Sequence, residues 1–142
     1  MNRTDTLLRL KRFRVDEVKR RISAIDAMRT NLERKLSDLD EDVAREKQRA
    51  GETDIGRLAF PSFLRSVDTR RENLRHTLKE MEREHETAQA ELAASFQDMK
   101  ALEFAAEAQA KRLAEIEARR AQTRLDEMAV ARHLRKHSLR SA

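Results

Sequence analysis

Three helix-breaking residues, all within eleven positions of one another, constrain this chain most strongly. Gly51, Gly56 and Pro61 are the only glycines and the only proline among its 142 residues. Glycine often follows the last residue of a helix, because it adopts positive φ without strain, and proline fits the first turn of a helix. Nothing else in the chain forces a helix to stop. The sequence therefore predicts one domain (1–142) with a helix at 5–50, a connector at 51–60 and a helix at 61–138.

Apolar residues recur at alternating steps of three and four along both predicted helices. In the first helix this seam comprises Leu8, Val15, Val18, Ile22, Ile25, Leu32, Leu36, Leu39, Val43 and Ala50, with charged residues at Lys11, Arg29 and Glu46. In the second helix it comprises Leu64, Val67, Leu74, Leu78, Met81, Ala88, Leu92, Met99, Leu102, Ala106, Leu113, Ile116, Val130 and Leu134. Its polar interruptions are Arg71, His85, Ser95, Gln109, Arg120, Thr123 and Glu127. This spacing predicts an all-α fold, in which two long helices form an antiparallel coiled-coil hairpin.

The two predicted helices differ in length by about thirty residues. Because a short connector makes the helices antiparallel neighbours, residue 4 should lie beside residue 107. The C-terminal part of the second helix then extends beyond the first helix without an intramolecular partner. Its uncovered apolar residues are Leu113, Ile116, Leu125, Met128, Val130 and Leu134. Near the other terminus, Leu7, Leu10 and Phe13 also lie off the main seam, so both termini offer apolar surface to a partner.

Charge is distributed unevenly along the chain. Residues 1–50 carry 14 basic and 10 acidic side chains, residues 51–110 carry 8 and 12, and residues 111–142 carry 9 and 4. Basic clusters lie at 9–14 and 132–136. If the two ends meet in space, they form one basic pole, which suits an acidic protein surface or a nucleic acid.

Composition argues against several functional classes. Only 39% of the residues are hydrophobic and 40% are charged, which leaves too few large apolar side chains to enclose a wide active-site pocket. There is no cysteine, no phosphate-binding glycine loop and no nucleophile motif. The longest apolar run, at 128–131, is too short for a membrane helix, and the N-terminal apolar residues are too few for a signal peptide. We expect a non-enzymatic, cytosolic protein that binds no cofactor.

Histidines and acidic residues offer few arrangements for a metal ion. His133 and His137 are four residues apart, but no third ligand follows at a fixed spacing, so solvated surface side chains are the favoured interpretation. His85 occupies a seam position, where a half-buried polar residue typically sets the register of a coiled coil. The acidic run at 38–42 lacks the central glycine of a calcium-binding loop. No metal site is predicted.

Four features of the sequence are similar to those of one known family. They are the opening segment LLRLKRFRVDE at 7–17, the position of the connector, the segment FPSFL at 60–64 and the segment RLDEMA at 124–129. The third has the aromatic-x-x-aromatic-apolar pattern of an entry to a second helix. On these features the sequence resembles the FliJ family of flagellar type III export proteins over nearly its whole length. Stalk proteins of virulence-type secretion systems look similar at this level.

The resemblance implies partners as well as a fold. Such proteins form an antiparallel coiled coil similar to the central stalk of rotary ATPases. The end that carries both termini inserts into the ring of the export ATPase hexamer and promotes its assembly. Another part binds the cytoplasmic domain of the large export-gate membrane protein, and free export chaperones are bound as well. The family works at the cytoplasmic face of the inner membrane, which it reaches through these partners only, and nucleic acid is not among them.

The resemblance also implies site residues. The gate-binding positions correspond to Phe63, Val67, Arg70 and Leu74. The segment that enters the ring corresponds to Leu125, Asp126 and Met128, and the uncovered Leu7, Leu10 and Phe13 are candidates for the same ring surface. Two other classes stay open on the residues alone: a basic nucleic-acid-binding coiled coil, and a plain scaffold that oligomerises through its C-terminal extension.

Overall fold

The computed structural model describes residues 3–141 and contains two helices that are joined by a single residue. Helix α1 spans Arg3–Glu52 and helix α2 spans Asp54–Ser141. Thr53 is the only described residue outside a helix, so the fold is all-α, as the sequence predicted. Residues 1, 2 and 142 of the predicted domain lie outside the described residues.

The connection between the helices is far shorter than the predicted connector at 51–60. The backbone N–H of Thr53 donates to the carbonyl oxygen of Arg49 at 3.1 Å, and its own carbonyl oxygen accepts from the N–H of Arg57 at 3.1 Å. Its hydroxyl oxygen also accepts a hydrogen bond from the N–H of Gly56 at 3.0 Å, as the side chain of an N-cap residue does. One threonine therefore ends α1 and begins α2.

The glycines and the proline do not take the positions that the sequence suggested. No described glycine has positive φ, and Gly51 and Gly56 both lie within helices. Gly56 is needed for a close approach instead, because a Cβ atom there would lie 2.8 Å from the carbonyl oxygen of Arg49. Pro61 lies inside α2 rather than at its start. Because proline has no backbone N–H, the carbonyl oxygen of Arg57 receives no helical hydrogen bond from it. Arg57 is exposed, so water can reach this carbonyl oxygen.

Polar contacts between charged or polar side chains of the two helices show that the helices run antiparallel. Asp26 of α1 meets His85 of α2 at 3.3 Å, and Lys11 meets Asp98 at 3.8 Å. Positions nearer the start of α1 thus pair with positions farther along α2. The same register places the first turn of α1 beside residue 107, which confirms the predicted hairpin.

The buried core is a single strip between the two helices, and it coincides with the predicted seam. The buried side chains are Val15, Val18, Ile25, Leu39, Val67, Ala88 and Met99. Every other seam position up to Ala106 is half-buried, including the polar ones. No polar or charged residue of the described chain is fully buried. Two helices alone produce a narrow apolar strip rather than an enclosed interior.

Beyond residue 106, α2 continues as an unaccompanied helix, which we call the overhang (residues 107–140). Every residue of the overhang is exposed. At about 1.5 Å per residue it extends about 50 Å past the start of α1. Seam positions that would be buried in a longer hairpin are open here, and Leu113 and Leu134 are 56% and 61% exposed.

Candidate interaction surfaces

The overhang presents two of the residues assigned to the ATPase ring on one surface. Leu125 and Met128 are 59% and 62% exposed and lie three residues apart, on the same side of the helix. Asp126, between them, is exposed and accepts a hydrogen bond from the side chain of Gln122 at 3.1 Å. This part of the overhang therefore has a small apolar patch next to a carboxylate that its own helix orients.

The first turns of α1 hold the other residues assigned to the ring. Leu7, Leu10 and Phe13 are 45%, 59% and 59% exposed. The guanidinium of Arg20 lies 5.8 Å from the ring centroid of Phe13, within the range of a cation–π contact. By the register of the hairpin, these residues lie about 30–40 Å along the axis from Leu125. The structure therefore puts the two groups on the same half of the molecule but does not bring them together.

The basic ends of the chain do not meet, so the predicted basic pole is not formed. The cluster at 9–14 lies beside α2 near residue 100, whereas the cluster at 132–136 lies about 50 Å farther along the overhang. The first cluster is also largely paired with α2: its cross-helix ion pairs are Lys11–Asp98, Arg12–Glu103 and Arg14–Glu91. Among the described residues, no overhang side chain makes an ion pair with α1. The excess of positive charge therefore lies mainly in the overhang, where residues 111–142 carry 9 basic and 4 acidic side chains.

One of these ion pairs changes the titration of its carboxylate. The Nζ atom of Lys100 donates to Glu103 at 3.0 Å, and Arg12 of α1 reaches the same carboxylate at 3.4 Å. The hydrogen bond from Lys100, with the positive charges of both cations, lowers the pKa of Glu103 below its ordinary value. This group ties the beginning of α1 to α2 just before the overhang starts.

The four residues assigned to the gate lie near the start of α2, but they differ in accessibility. Arg70 is exposed, and Phe63 and Leu74 are half-buried. Val67 is only 2% exposed, because its side chain packs in the core between the helices. It has no surface to offer a partner while the hairpin is closed. Arg70 and Leu74 share an open groove of about 460 Å³ with the buried Leu39 of α1.

The turn carries apolar surface that the sequence analysis did not single out. Ile55 and Leu58 are 81% and 83% exposed, more than any other large apolar side chain described. The prediction of a connector at 51–60 hid them, since apolar residues outside a helix have no fixed direction. The signal was their spacing of three, which places both on one side of a helix once α2 begins at Asp54.

The histidines occupy the kinds of position that the sequence indicated. The side chain of His85 is 24% exposed and faces Asp26 across the seam, as expected for a polar residue that sets the register. The rings of His133 and His137 are stacked with centroids 6.2 Å apart on the exposed overhang. The described residues contain no group of three or more potential metal ligands. Neither α1 nor α2 includes a stretch apolar enough to cross a membrane.

Comparison with protein families decides where this hairpin belongs. The family model described as flagellar FliJ protein matches residues 1–138. The chain is a member of the FliJ family. The resemblance drawn from its short motifs is thereby confirmed, and membership makes the chain a component of the flagellar export apparatus. A search of curated proteins found no match, and a search of solved structures found none either.

The match to FliJ covers every surface described above. It includes the turn, the groove beside Leu74, the first turns of α1 and nearly all of the overhang. The overhang up to residue 138 therefore lies within the matched region. The assignments of individual residues to the ring and to the gate remain predictions.

Proposed function

We propose that this member of the FliJ family is a non-enzymatic, stalk-like coupling component of the export apparatus. Its overhang inserts into the ring of the hexameric export ATPase and promotes ring assembly. The opposite half of the hairpin contacts the cytoplasmic domain of the large export-gate membrane protein, and the protein also escorts free export chaperones. It works at the cytoplasmic face of the inner membrane, which it reaches through these partners.

The observation that carries this proposal is the overhang. It is a single helix about 10–12 Å wide, roughly half the width of the hairpin, and it projects about 50 Å from the place where α1 begins. Leu125 and Met128 are exposed on it, and the surrounding residues carry an excess of positive charge. A narrow rod with exposed apolar side chains suits the pore of a ring. Its charge attracts acidic loops and mainly speeds and orients docking.

The start of α1 lies where the molecule widens from one helix to two, and we assign it a separate role in ring binding. Leu7, Leu10 and Phe13 lie at the base of the overhang, where the rod doubles in width. In the proposed complex they contact the rim of the ring, while Leu125 and Met128 lie inside the pore. This arrangement explains why two groups about 30–40 Å apart along the axis both serve one partner.

Distance also supports simultaneous binding of the two large partners. Phe63 and Arg70 lie within five turns of the end of the hairpin, and Leu125 lies about 80–90 Å farther along α2. A protein bound at one place does not cover the other. The hairpin between them is held in register by its seam and its cross-helix ion pairs, so a movement of one end displaces the other.

Charged substitutions in the overhang test insertion into the ring. We expect Leu125→Glu with Met128→Glu to abolish co-purification with the export ATPase, because carboxylates cannot be buried against an apolar pore lining without loss of binding energy. The matched control is Ile55→Glu with Leu58→Glu, which adds the same charges to exposed apolar positions at the turn. Circular dichroism should show unchanged helicity in both variants. Undiminished co-purification of the overhang variant would refute insertion.

A second experiment separates gate binding from ring binding. We expect Phe63→Ala to weaken binding to the purified cytoplasmic domain of the gate protein while ATPase co-purification stays at the wild-type level. Phe96→Ala is the control, because it removes another partly exposed phenylalanine of α2 far from this surface. Equal gate affinity of the Phe63 variant and the wild type would remove that residue from the gate surface.

A further inference from the structure

The overhang has two different apolar faces, and only one of them is used by the proposed ring contact. Leu125 and Met128 are not seam positions. The seam continues on another face of the same helix, through Leu113, Ile116, Val130 and Leu134. We propose that this seam face is the docking surface for one acidic amphipathic helix of a partner protein, which lies antiparallel to α2 and extends the coiled coil along the line of α1.

Continuity with the hairpin interface supports a helix as the occupant. The three-four spacing of seam positions that begins at Leu64 extends to Leu134, although polar residues occupy four of the eight positions beyond Ala106 and α1 covers only the part up to Ala106. Within the covered part, Met99 is 9% exposed, whereas Leu113 in the overhang is 56% exposed. The surface beyond residue 106 therefore has the same geometry as one that already binds a helix, but it lacks the helix.

Charge identifies the chemistry of that helix. In the hairpin, basic residues that flank the seam of α1 are met by acidic residues of α2, as Arg12 is by Glu103. In the overhang α2 is basic rather than acidic, since residues 111–142 carry 9 basic and 4 acidic side chains. A partner helix with acidic flanks repeats the pairing of the hairpin. A second copy of this chain would instead bring two positively charged overhangs together, which disfavours self-association.

The polar centre of the seam face adds specificity. Arg120, Thr123 and Glu127 interrupt the stripe between its two apolar ends. The hairpin shows how such interruptions are satisfied, because the seam residue Arg71 pairs with Asp40 of α1. The partner helix should therefore carry a carboxylate opposite Arg120, a cation opposite Glu127 and apolar residues toward both of its ends. A helix with apolar residues throughout would leave these charges unpaired.

This docking surface goes beyond ring insertion and concerns the free protein, because a ring around the overhang would leave no room for a second helix. It can therefore be tested without the ATPase. The probe is a synthetic peptide of about four heptads with leucine at its seam positions, glutamate at the flanking positions, glutamate opposite Arg120 and lysine opposite Glu127. Binding of the fluorescently labelled peptide to the full-length protein is followed by anisotropy. We expect saturable binding to the wild type and no binding of a peptide in which the flanking glutamates are replaced by lysine.

Matched variants on the two faces locate the site. We expect Ile116→Gln with Val130→Gln to weaken peptide binding by about tenfold or more, since two apolar contacts are lost. Leu125→Gln with Met128→Gln should bind the peptide as the wild type does, because these residues lie off the seam. Glutamine keeps the helix, and circular dichroism of all variants verifies this. Arg120→Glu should weaken binding, and a peptide with lysine at the opposing position should restore it.

Several results would overturn the inference. They are failure of the wild type to bind the acidic peptide, equal binding of the lysine-substituted peptide, and equal loss of binding in the Leu125 and Ile116 variant pairs. Sedimentation of the wild type as a dimer that dissociates in the Ile116→Gln, Val130→Gln variant would show that a second copy occupies the seam face, which also overturns it. Ring insertion is judged separately by ATPase co-purification, so either idea can fail alone.

Discussion

The Oδ1 atom of Asp26 lies 3.3 Å from the Nε2 atom of His85, across the seam that joins the two helices. The pair interrupts an otherwise largely apolar strip. Arg71 and Asp40 form a second interruption closer to the turn. A polar residue at a seam position lowers the stability of the coiled coil. It also disfavours any alternative register of the two helices, because its polar partner is lost there. The two pairs therefore fix how α1 and α2 are aligned along their length.

Replacement of His85 by leucine should raise stability and weaken the alignment. We expect His85→Leu to increase the free energy of unfolding by about 1 kcal/mol, since an apolar side chain fills the half-buried position. Distances between spin labels at the exposed positions Glu33 and Lys79 should become broader. His76→Leu, at a histidine whose side chain is 75% exposed, is the control and should leave thermal stability nearly unchanged. A marked loss of stability in His85→Leu would contradict this account.

The two glycines of the turn should respond in opposite directions to alanine. In Gly56→Ala the new methyl group meets the backbone of Arg49, so we expect a loss of about 1–3 kcal/mol in the free energy of unfolding. A Cβ atom at Gly51 would meet no atom within 4 Å apart from its own local helix backbone. Gly51→Ala should therefore gain about 0.5–1 kcal/mol from helix propensity. Thermal or urea unfolding measures both, and equal effects in the two variants would argue against the close approach.

Two valines of α2 distinguish the core from the overhang. Val67 is 2% exposed, and Val67→Ala should cost about 2 kcal/mol through lost burial and an unfilled space. Val130 is 58% exposed, and Val130→Ala should change stability by less than about 0.5 kcal/mol. Urea unfolding monitored by circular dichroism measures the difference. If both variants unfold alike, either Val67 is not packed between the helices or Val130 is covered.

The lowered pKa of Glu103 predicts a pH-dependent contribution to stability. A carboxylate whose pKa is lower in the folded than in the unfolded state stabilises the protein above its unfolded pKa, and this contribution disappears as the pH falls through the folded pKa. We expect wild type to melt at a higher temperature than Glu103→Gln at neutral pH, and the two to converge in acid. Glu107→Gln, which changes an exposed glutamate one turn later, should show no such convergence. A difference that stays constant with pH would contradict the ion pair.

Periodicity made the greater part of the fold predictable. Each seam position assigned from the sequence between Leu8 and Ala50 and between Leu64 and Ala106 is buried or half-buried. The pattern succeeds because the pairing of α1 with α2 buries the apolar stripes of both helices at once. The overhang followed from the difference between two helix lengths, since the register of an antiparallel hairpin determines where the shorter helix stops covering the longer one.

The turn and the basic ends were harder to predict, because both depend on positions in space. Gly56 is required by the proximity of the Arg49 carbonyl, which no local pattern reveals, whereas general rules for glycine favour positive φ. Net charge of the terminal segments does not say whether they meet; their separation follows from the same register that predicted the overhang. Val67 received two assignments, to the seam and to the gate surface, and its burial shows the limit of a residue role carried over from a family motif alone.

The N-terminus of α1 lies beside residue 106 and divides the molecule into a two-helix part and a one-helix part, which differ in bending stiffness. Two helices packed side by side resist bending far more than one helix does. A sideways load on the exposed part of α2 therefore bends the helix most just past Glu103, where α1 no longer lies beside it. An axial twist, by contrast, passes along the continuous backbone of α2 without a break. The overhang therefore bends easily under a lateral force, whereas the two-helix part of the molecule is stiff.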